Sequence, residues 1–342
     1  MFNILVTGGL GYIGSHICSK LIEKGHNIYI LDSLHNSSYK VFENLKIIRS
    51  SIKSSRTGSL VFFHGDIRDR KMIRKIFNFS INKKGPIDLV FHFAGLKSVY
   101  ESNVKPREYW DVNLEGTKVL VNLMESYGCK NIIFSSSATV YGNAGLGIID
   151  ETYSIKPTNV YEKTKAEVET LLSNKYKESK DWKIINLRYF NPIGAHKTGL
   201  IGDRAISNFS NLFPLLCKVA NKEIDYIEIF GQDWETRDGT CIRDFIHILD
   251  IANGHLSALD HLMNNQDICH TINLGTAKGT TVLELVNIFE ETINKKINYI
   301  FSNRRNGDVA SYIASNNLAK RILNWETSFS LNDMCIDGWK WY

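Results

Sequence analysis

An apolar run, Ile4-Leu5-Val6-Thr7, passes straight into Gly8-Gly9-Leu10-Gly11-Tyr12-Ile13-Gly14. Gly9, Gly11 and Gly14 meet the G-x-G-x-x-G spacing, and Gly8, Gly11 and Gly14 meet G-x-x-G-x-x-G. Glycines so spaced allow a tight strand-to-helix turn. They also let backbone N–H groups approach a pyrophosphate and let the helix pack close to its strand. The positive end of the following helix then faces the phosphates. The pattern is common in isolation. Its weight comes from context, because it follows the first strand, opens the first helix and precedes Asp32 at the end of the second strand. Asp32 is placed to accept hydrogen bonds from an adenosine ribose, and its charge repels a 2′-phosphate. Ser33 and Leu34 supply no arginine to reverse that preference, so the expected cofactor is NAD rather than NADP.

The rest of the first half alternates short apolar runs with helical periodicity. Strands are expected at 4–7, 27–31, 60–63, 89–93 and 132–134, with helices at 12–24, around 72–77 and at 109–127. Near-continuous apolar strands separated by helices imply a parallel sheet covered on both faces, hence a doubly wound α/β fold. Residues 49–59, poor in apolar side chains, are expected to form a mobile surface loop. The second half is less regular and reads as a smaller, loop-rich α/β substrate domain. The expected division is 1–190 and 191–342, with segments near 240–258 returning to the first domain.

Composition excludes several classes. A formal charge of +5 over 342 residues, with Lys and Arg mostly interleaved with Asp and Glu, forms no basic stripe for nucleic acid. Six widely spaced cysteines include no Cys-x-x-Cys pair, so no zinc site is expected and the chain reads as reduced. No stretch approaches the roughly 18 apolar residues of a membrane span, and no secretory signal is visible. The expectation is a cytoplasmic protein without a metal.

Two further strand ends face the expected cofactor crevice. In His64-Gly65-Asp66-Ile67, Asp66 either accepts from the adenine amino group or caps the next helix. In Phe93-Ala94-Gly95-Leu96-Lys97, the small residues let a cofactor approach the backbone, and Lys97 is a pyrophosphate ligand or a solvated loop lysine. Tyr161 and Lys165, spaced i, i+4, share a helix face. An ammonium beside a phenol favours phenolate and suits the tyrosine to general-base chemistry. Tyr176 and Lys180 repeat the spacing, about 22 Å further along if the helix continues. Charged neighbours mark that second pair as a solvated end. The first pair follows Phe134-Ser135-Ser136-Ser137, at the edge where ligands bind, so the expected catalytic group is Ser137, Tyr161 and Lys165.

These motifs, with Ala138-Thr139-Val140-Tyr141-Gly142 and Leu187-Arg188-Tyr189-Phe190-Asn191-Pro192, resemble the extended short-chain dehydrogenase/reductase superfamily. Within it the chain resembles the UDP-glucose 4-epimerase family nearly end to end. His92-Phe93-Ala94-Gly95-Leu96-Lys97, Asp238-Gly239-Thr240, Ile242-Arg243-Asp244-Phe245-Ile246-His247 and Arg304-Arg305-Asn306-Gly307-Asp308 carry that closer match. The resemblance implies a Rossmann fold, NAD and a UDP-glucose/UDP-galactose substrate. Reaction is implied to pass through a 4-keto sugar with no net redox change, in a homodimer pairing the helices at 109–127 and 164–176. Implied cofactor contacts are Gly8, Gly11, Tyr12, Ile13, Gly14, Asp32, Ser33, Leu34, His35, Asn36, Ser37, Asp66, Ile67, Phe93, Ala94, Gly95, Lys97, Asn113, Ser135, Tyr161, Lys165 and Phe190. Implied substrate contacts are Ser137, Tyr161, Asn191, Asn211, Leu212, Phe230, Arg243, Arg305, Asp308 and Tyr312. The two arginines suit a diphosphate, which guanidinium binds in bidentate fashion. His247 reads as structural.

Glu162 departs from the family pattern, which usually has a small residue there. Its charge either faces solvent or disturbs the pKa of its neighbours. The nearest rival activity is a nucleotide-sugar 4,6-dehydratase, which would place acids just after the serine run, where this chain has Ala138 and Thr139. A non-catalytic NAD sensor on the same fold is expected to lose the Tyr–Lys pair.

Overall fold

The computed structural model describes residues 1–52, 58–145, 147–203, 211–305 and 307–342. Its frame is built from β1 (Asn3–Thr7), α1 (Tyr12–Glu23), β2 (Asn27–Asp32), α2 (Tyr39–Ser51), β3 (Leu60–His64), α3 (Arg70–Lys83) and β4 (Leu89–His92). It continues with α4 (Gly116–Ser126), β5 (Asn131–Ser137), α5 (Val160–Glu178), β6 (Lys183–Tyr189), α6 (Ile248–Asn264) and β7 (Cys269–Leu274). Among the described residues these strands form one seven-stranded parallel sheet, ordered β7-β6-β5-β4-β1-β2-β3. The order reverses between β1 and β4, so the loops leaving these two strands part and open a crevice there.

Alternate side chains of the strands enter opposite cores, as a period of two requires. Ile4 and Val6 of β1 pack with α1, α2 and α6, whereas Leu5 packs with α3, α4 and α5. Each layer is nearly dry, with Ile4, Leu5 and Val6 all 0% exposed. A smaller lobe has its own core, in which Phe213, Leu216, Ile229, Leu285, Phe289 and Met334 meet.

Three features differ from the sequence expectations. Positions 49–51 end α2 rather than begin a loop, and residues 53–57 of that expected loop lie outside the described residues. Ser38 caps α2 by accepting from Lys40 N at 3.2 Å, and Phe42, Leu45 and Ile48 bury one face among polar neighbours. The expected helix at 109–127 has a π-helical turn, Trp110–Glu115, between Pro106–Tyr109 and α4. The return to the first domain also runs beyond 258. The short strand Phe245–His247 pairs with Asn191–Ile193, α6 packs on α1, and β7 becomes the last strand of the main sheet. A single cut at residue 191 therefore divides that sheet.

Candidate active site

The glycine turn is shaped by close backbone approach. Gly8 has φ +67°, and a Cβ there would lie 2.6 Å from Ala94 N in the loop leaving β4. A Cβ on Gly14 would lie 2.4 Å from the Gly8 carbonyl oxygen. Gly11, the N-cap of α1, would meet only that same oxygen, at 3.3 Å, and no side chain caps the helix. The N-terminal amides of α1 are thus left open beside the crevice, which fits a pyrophosphate. Asp32 fixes the turn from behind. Its carboxylate accepts from Leu10 N (2.9 Å) and, on the other oxygen, from Leu34 N (2.9 Å) and Ser37 Oγ (2.7 Å). Leu34 takes a positive φ to close that loop, and Ser33, His35 and Asn36 are exposed around it.

Other expected cofactor positions have clear surroundings. Asp66 does not cap α3. Asp69 does, accepting from Lys71 N and Met72 N, while the Asp66 carboxylate is gripped by the Arg68 guanidinium and held below the ordinary aspartate range. Ile67 is buried under Gly116, and Phe93 stacks on Phe91. Tyr12 donates to the Gly194 carbonyl at 2.7 Å, beside Ile13 on the first turn of α1. Lys97 is exposed, 3.9 Å from Asp203. The Asn113 amide, in the π-helical turn, is spent within the protein. It accepts from Leu96 N (2.7 Å) and donates to Leu96 O (3.1 Å) and Thr164 Oγ1 (3.0 Å). It therefore ties the Gly95–Leu96 loop to α5 and has no side-chain donor left for a cofactor.

The Ser–Tyr–Lys group comes together at the carboxyl edge of β5. Asn159 caps α5 by accepting from Glu162 N at 3.0 Å, which sets Tyr161 and Lys165 on the turn facing the sheet. Ser137 faces Tyr161, and its Oγ lies 2.9 Å from Thr139 Oγ1. Lys165 Nζ donates to the Ser135 carbonyl at 2.7 Å and sits 4.9 Å above the Phe134 ring and 5.9 Å from the Tyr161 ring centre. The expected depression of the phenol does not occur in this state. Burial pushes Tyr161 up to about 12 and Lys165 down to about 8, because both charged forms lose water. Glu162 does not face solvent. It is 7% exposed, accepts from Thr158 N (2.6 Å) and Thr158 Oγ1 (2.9 Å), and its charge adds to the rise at Tyr161. The second pair, Tyr176 and Lys180, forms a cation–π contact of 3.7 Å at the far end of α5.

The expected substrate positions divide into two groups around this edge. Tyr312 lies on the strand Ser311–Ala314, is 8% exposed and donates to the Ala138 carbonyl at 2.8 Å, with the Phe190 ring 5.7 Å away. Its hydroxyl therefore docks on the residue next to Ser137. In a parallel register Tyr312 pairs with Arg243, whose guanidinium donates to Val309 O (2.8 Å) and reaches Asp308 at 3.4 Å. Arg305 donates to the same Asp308 oxygen at 2.9 Å and covers the Phe230 ring at 5.2 Å. Two guanidiniums on one carboxylate retain donors for a second anion. Asn191 follows β6, and Asn211 and Leu212 begin the helix Leu212–Ala220 beside residues 204–210, which are outside the described set. His247 is structural as expected. It caps α6 by accepting from Leu249 N and stacks on Phe329 at 4.2 Å. The sequence reading passed over Glu169 and Arg188, a buried ion pair behind Lys165. Its signals were a charge inside the apolar strand Ile184-Ile185-Asn186-Leu187-Arg188 and the i, i+4 spacing from Lys165.

A glycine cradle at the switch point, beside a Ser–Tyr–Lys group on the same sheet edge, defines an extended short-chain dehydrogenase/reductase. A family model described as GDP-mannose 4,6 dehydratase matches residues 5–337. The UDP-glucose 4-epimerase of Bacillus subtilis (strain 168) is 41% identical over 99% of this chain and 96% of its own length. That of Cyamopsis tetragonoloba is 43% identical over 99% and 94%. A crystal structure of the Stenotrophomonas maltophila UDP-glucose 4-epimerase, with bound NAD and formylated UDP-arabinopyranose, superposes with a TM-score of 0.93. It is 42% identical, covering 100% of this chain and 98% of that one. The chain belongs to the UDP-glucose 4-epimerase family.

Proposed function

We propose that this enzyme interconverts UDP-glucose and UDP-galactose by NAD-dependent epimerisation at sugar carbon 4, through a 4-keto intermediate. The observation that carries the reading is the meeting of Ser137, Tyr161 and Lys165 one residue from Ala138, where Tyr312 docks. The cradle fits NAD: the open α1 amides suit its pyrophosphate, and Asp32 suits its adenosine ribose. When bound, NAD takes a hydride from carbon 4 and returns it to the opposite face of the sugar.

The chain's own groups handle the proton and the geometry. Tyr161 Oη takes the proton of the 4-hydroxyl and later gives it back. Ser137 Oγ, which faces Tyr161, holds the same sugar oxygen. The Lys165 ammonium stabilises the phenolate as it forms in a site largely closed to water. Arg243 and Arg305 hold the diphosphate, so a keto sugar stays tethered while it turns over. Asp308 holds both arginines in place. The dehydratase alternative lacks its acid. Ala138 is apolar and 2% exposed, and the Thr139 hydroxyl is bonded to Ser137.

Purified protein given UDP-galactose with no added reductant is expected to yield UDP-glucose without net NADH. A Tyr161→Phe variant is expected to lose at least about 100-fold in kcat. Conversion by that variant at the parent rate overturns the assignment. We place the enzyme in galactose metabolism in the cytoplasm, as a homodimer. No described helix is long and apolar enough to cross a membrane. Val99 and Val104, 42% and 64% exposed, lie beside α5 where the partner would pack. Sedimentation equilibrium at the monomer mass of 39.0 kDa would refute the dimer.

A further inference from the structure

A buried ion pair lies directly behind the reacting group, and the proton relay does not use it. Glu169 stands one helical turn beyond Lys165 on α5, and Arg188 is the next-to-last residue of β6. The side chains are 7% and 4% exposed. Arg188 Nε donates to one Glu169 oxygen at 2.9 Å and its terminal nitrogen to the other at 2.6 Å, a bidentate fork. Ser136 Oγ donates to the first of these oxygens at 2.5 Å. Ser136 separates Ser135, whose carbonyl holds Lys165, from Ser137, which faces Tyr161. The guanidinium also lies 4.7 Å from the Tyr141 ring centre, and Tyr141 donates to Asn273 of β7 at 2.7 Å.

Such a pair needs a reason. Two buried ions cost several kcal/mol each to desolvate, and apolar residues of the same volume often pack as stably or better. Packing alone therefore does not call for these charges. Lys165 does, because its ammonium is held at a site that burial pushes toward neutrality.

We propose that Glu169 and Arg188 are positioning residues for the epimerisation, a claim that rests on the function proposed above. The pair locks the end of β5 beneath the reacting groups, and the Glu169 carboxylate keeps the Lys165 ammonium charged. The groups around Lys165 support this. On α5 these are Tyr161 and Glu169. From β4 comes His92, held neutral by burial and by Lys165 itself. From β5 come the Ser135 carbonyl and the Phe134 ring, and from the β4 loop the Gly95 backbone, while Arg188 of β6 reaches the site through Glu169. Glu169 is the group among them that opposes the effect of burial on Lys165.

The test titrates Lys165 in full-length protein carrying 13C-labelled lysine, followed by NMR, in the parent, in Glu169→Gln and in the apolar pair E169L/R188L. The carboxamide is expected to lower the half-titration pH of Lys165 by about one unit, and the apolar pair by less with the same sign. For UDP-galactose, kcat is expected to fall about tenfold in Glu169→Gln with KM unchanged. The loss is expected to be steepest on the alkaline side, where Lys165 now sheds its proton sooner. Glu169→Asp is expected to recover part of the rate. If Glu169→Gln does not fold around its unpaired Arg188, the apolar pair decides. A folded apolar pair with an unmoved Lys165 titration and an unchanged pH profile overturns the proposal. If the parent fails to epimerise, the functional reading falls, while the titration still decides whether Glu169 charges Lys165.

Discussion

At Tyr161 burial prevails over the group that opposes it, the Ser137 hydroxyl. The ammonium is 5.9 Å from the ring centre and committed to the Ser135 carbonyl, so its pull on the phenol is weak. The phenol rests protonated, which prevents a wasteful buried charge before substrate arrives. Residue spacing therefore foretold which groups meet but not their protonation. The same scale governs sugar choice. Tyr312 is anchored by its hydrogen bond to Ala138 and flanked by Phe190. Its bulk is expected to exclude an N-acetyl group at the sugar's 2-position. UDP-N-acetylglucosamine should show a kcat/KM about tenfold or more below that of UDP-glucose. Comparable values for the two sugars would refute this role for Tyr312.

At the scale of elements, the glycine turn carries two separable demands. Gly14 lets α1 pack against β1, since a Cβ there would strike the Gly8 carbonyl at 2.4 Å. Gly11 leaves space for a ligand, and its Cβ would meet only a 3.3 Å contact. Gly14→Ala is therefore expected to lower Tm markedly, because backbone must move. Gly11→Ala is expected to keep Tm within a few degrees while weakening NAD binding about tenfold or more. Thermal melts and NAD titration calorimetry check both, and an equal loss of Tm in the two variants would contradict the division. Strands were legible because apolar runs of β-branched and aromatic residues mark a two-faced sheet. Helix α2 was not, since only Phe42, Leu45 and Ile48 carry its buried face within a polar segment. The Asp66 alternative needed the structure as well, because two aspartates three residues apart compete for one cap and only the local turn decides between them.

At the scale of the whole molecule, burial of histidines makes folding sensitive to acid. Burial drives His16 and His92 down to about 3, and His247 and His255 down to about 4. Their ordinary value is 6.5, so the unfolded chain binds more protons between pH 6.5 and those values. Stability is complete above pH 6.5 and falls as pH drops through that window, by about 2 kcal/mol per ring at pH 5. Asp244 works the other way. Burial raises it from 3.8 to about 6, which favours the folded state as pH falls through 6. Burial also raises Glu151, Asp250 and Asp337, but it lowers eight described histidines in all, so Tm is expected to drop steadily from pH 7 to pH 4.5. A flat Tm over that range would refute the account.

The chain's order of residues by itself determined the cradle, the doubly wound sheet and the Ser–Tyr–Lys group, because each rests on local spacing: glycines within one turn, apolar periodicity, and an i, i+4 pair. Tertiary structure alone decided where Asn113 spends its amide, that Glu162 turns inward, that β7 closes the main sheet, and that Glu169 and Arg188 sit behind Lys165. These depend on which distant segments share a neighbour, and on how much water that packing removes.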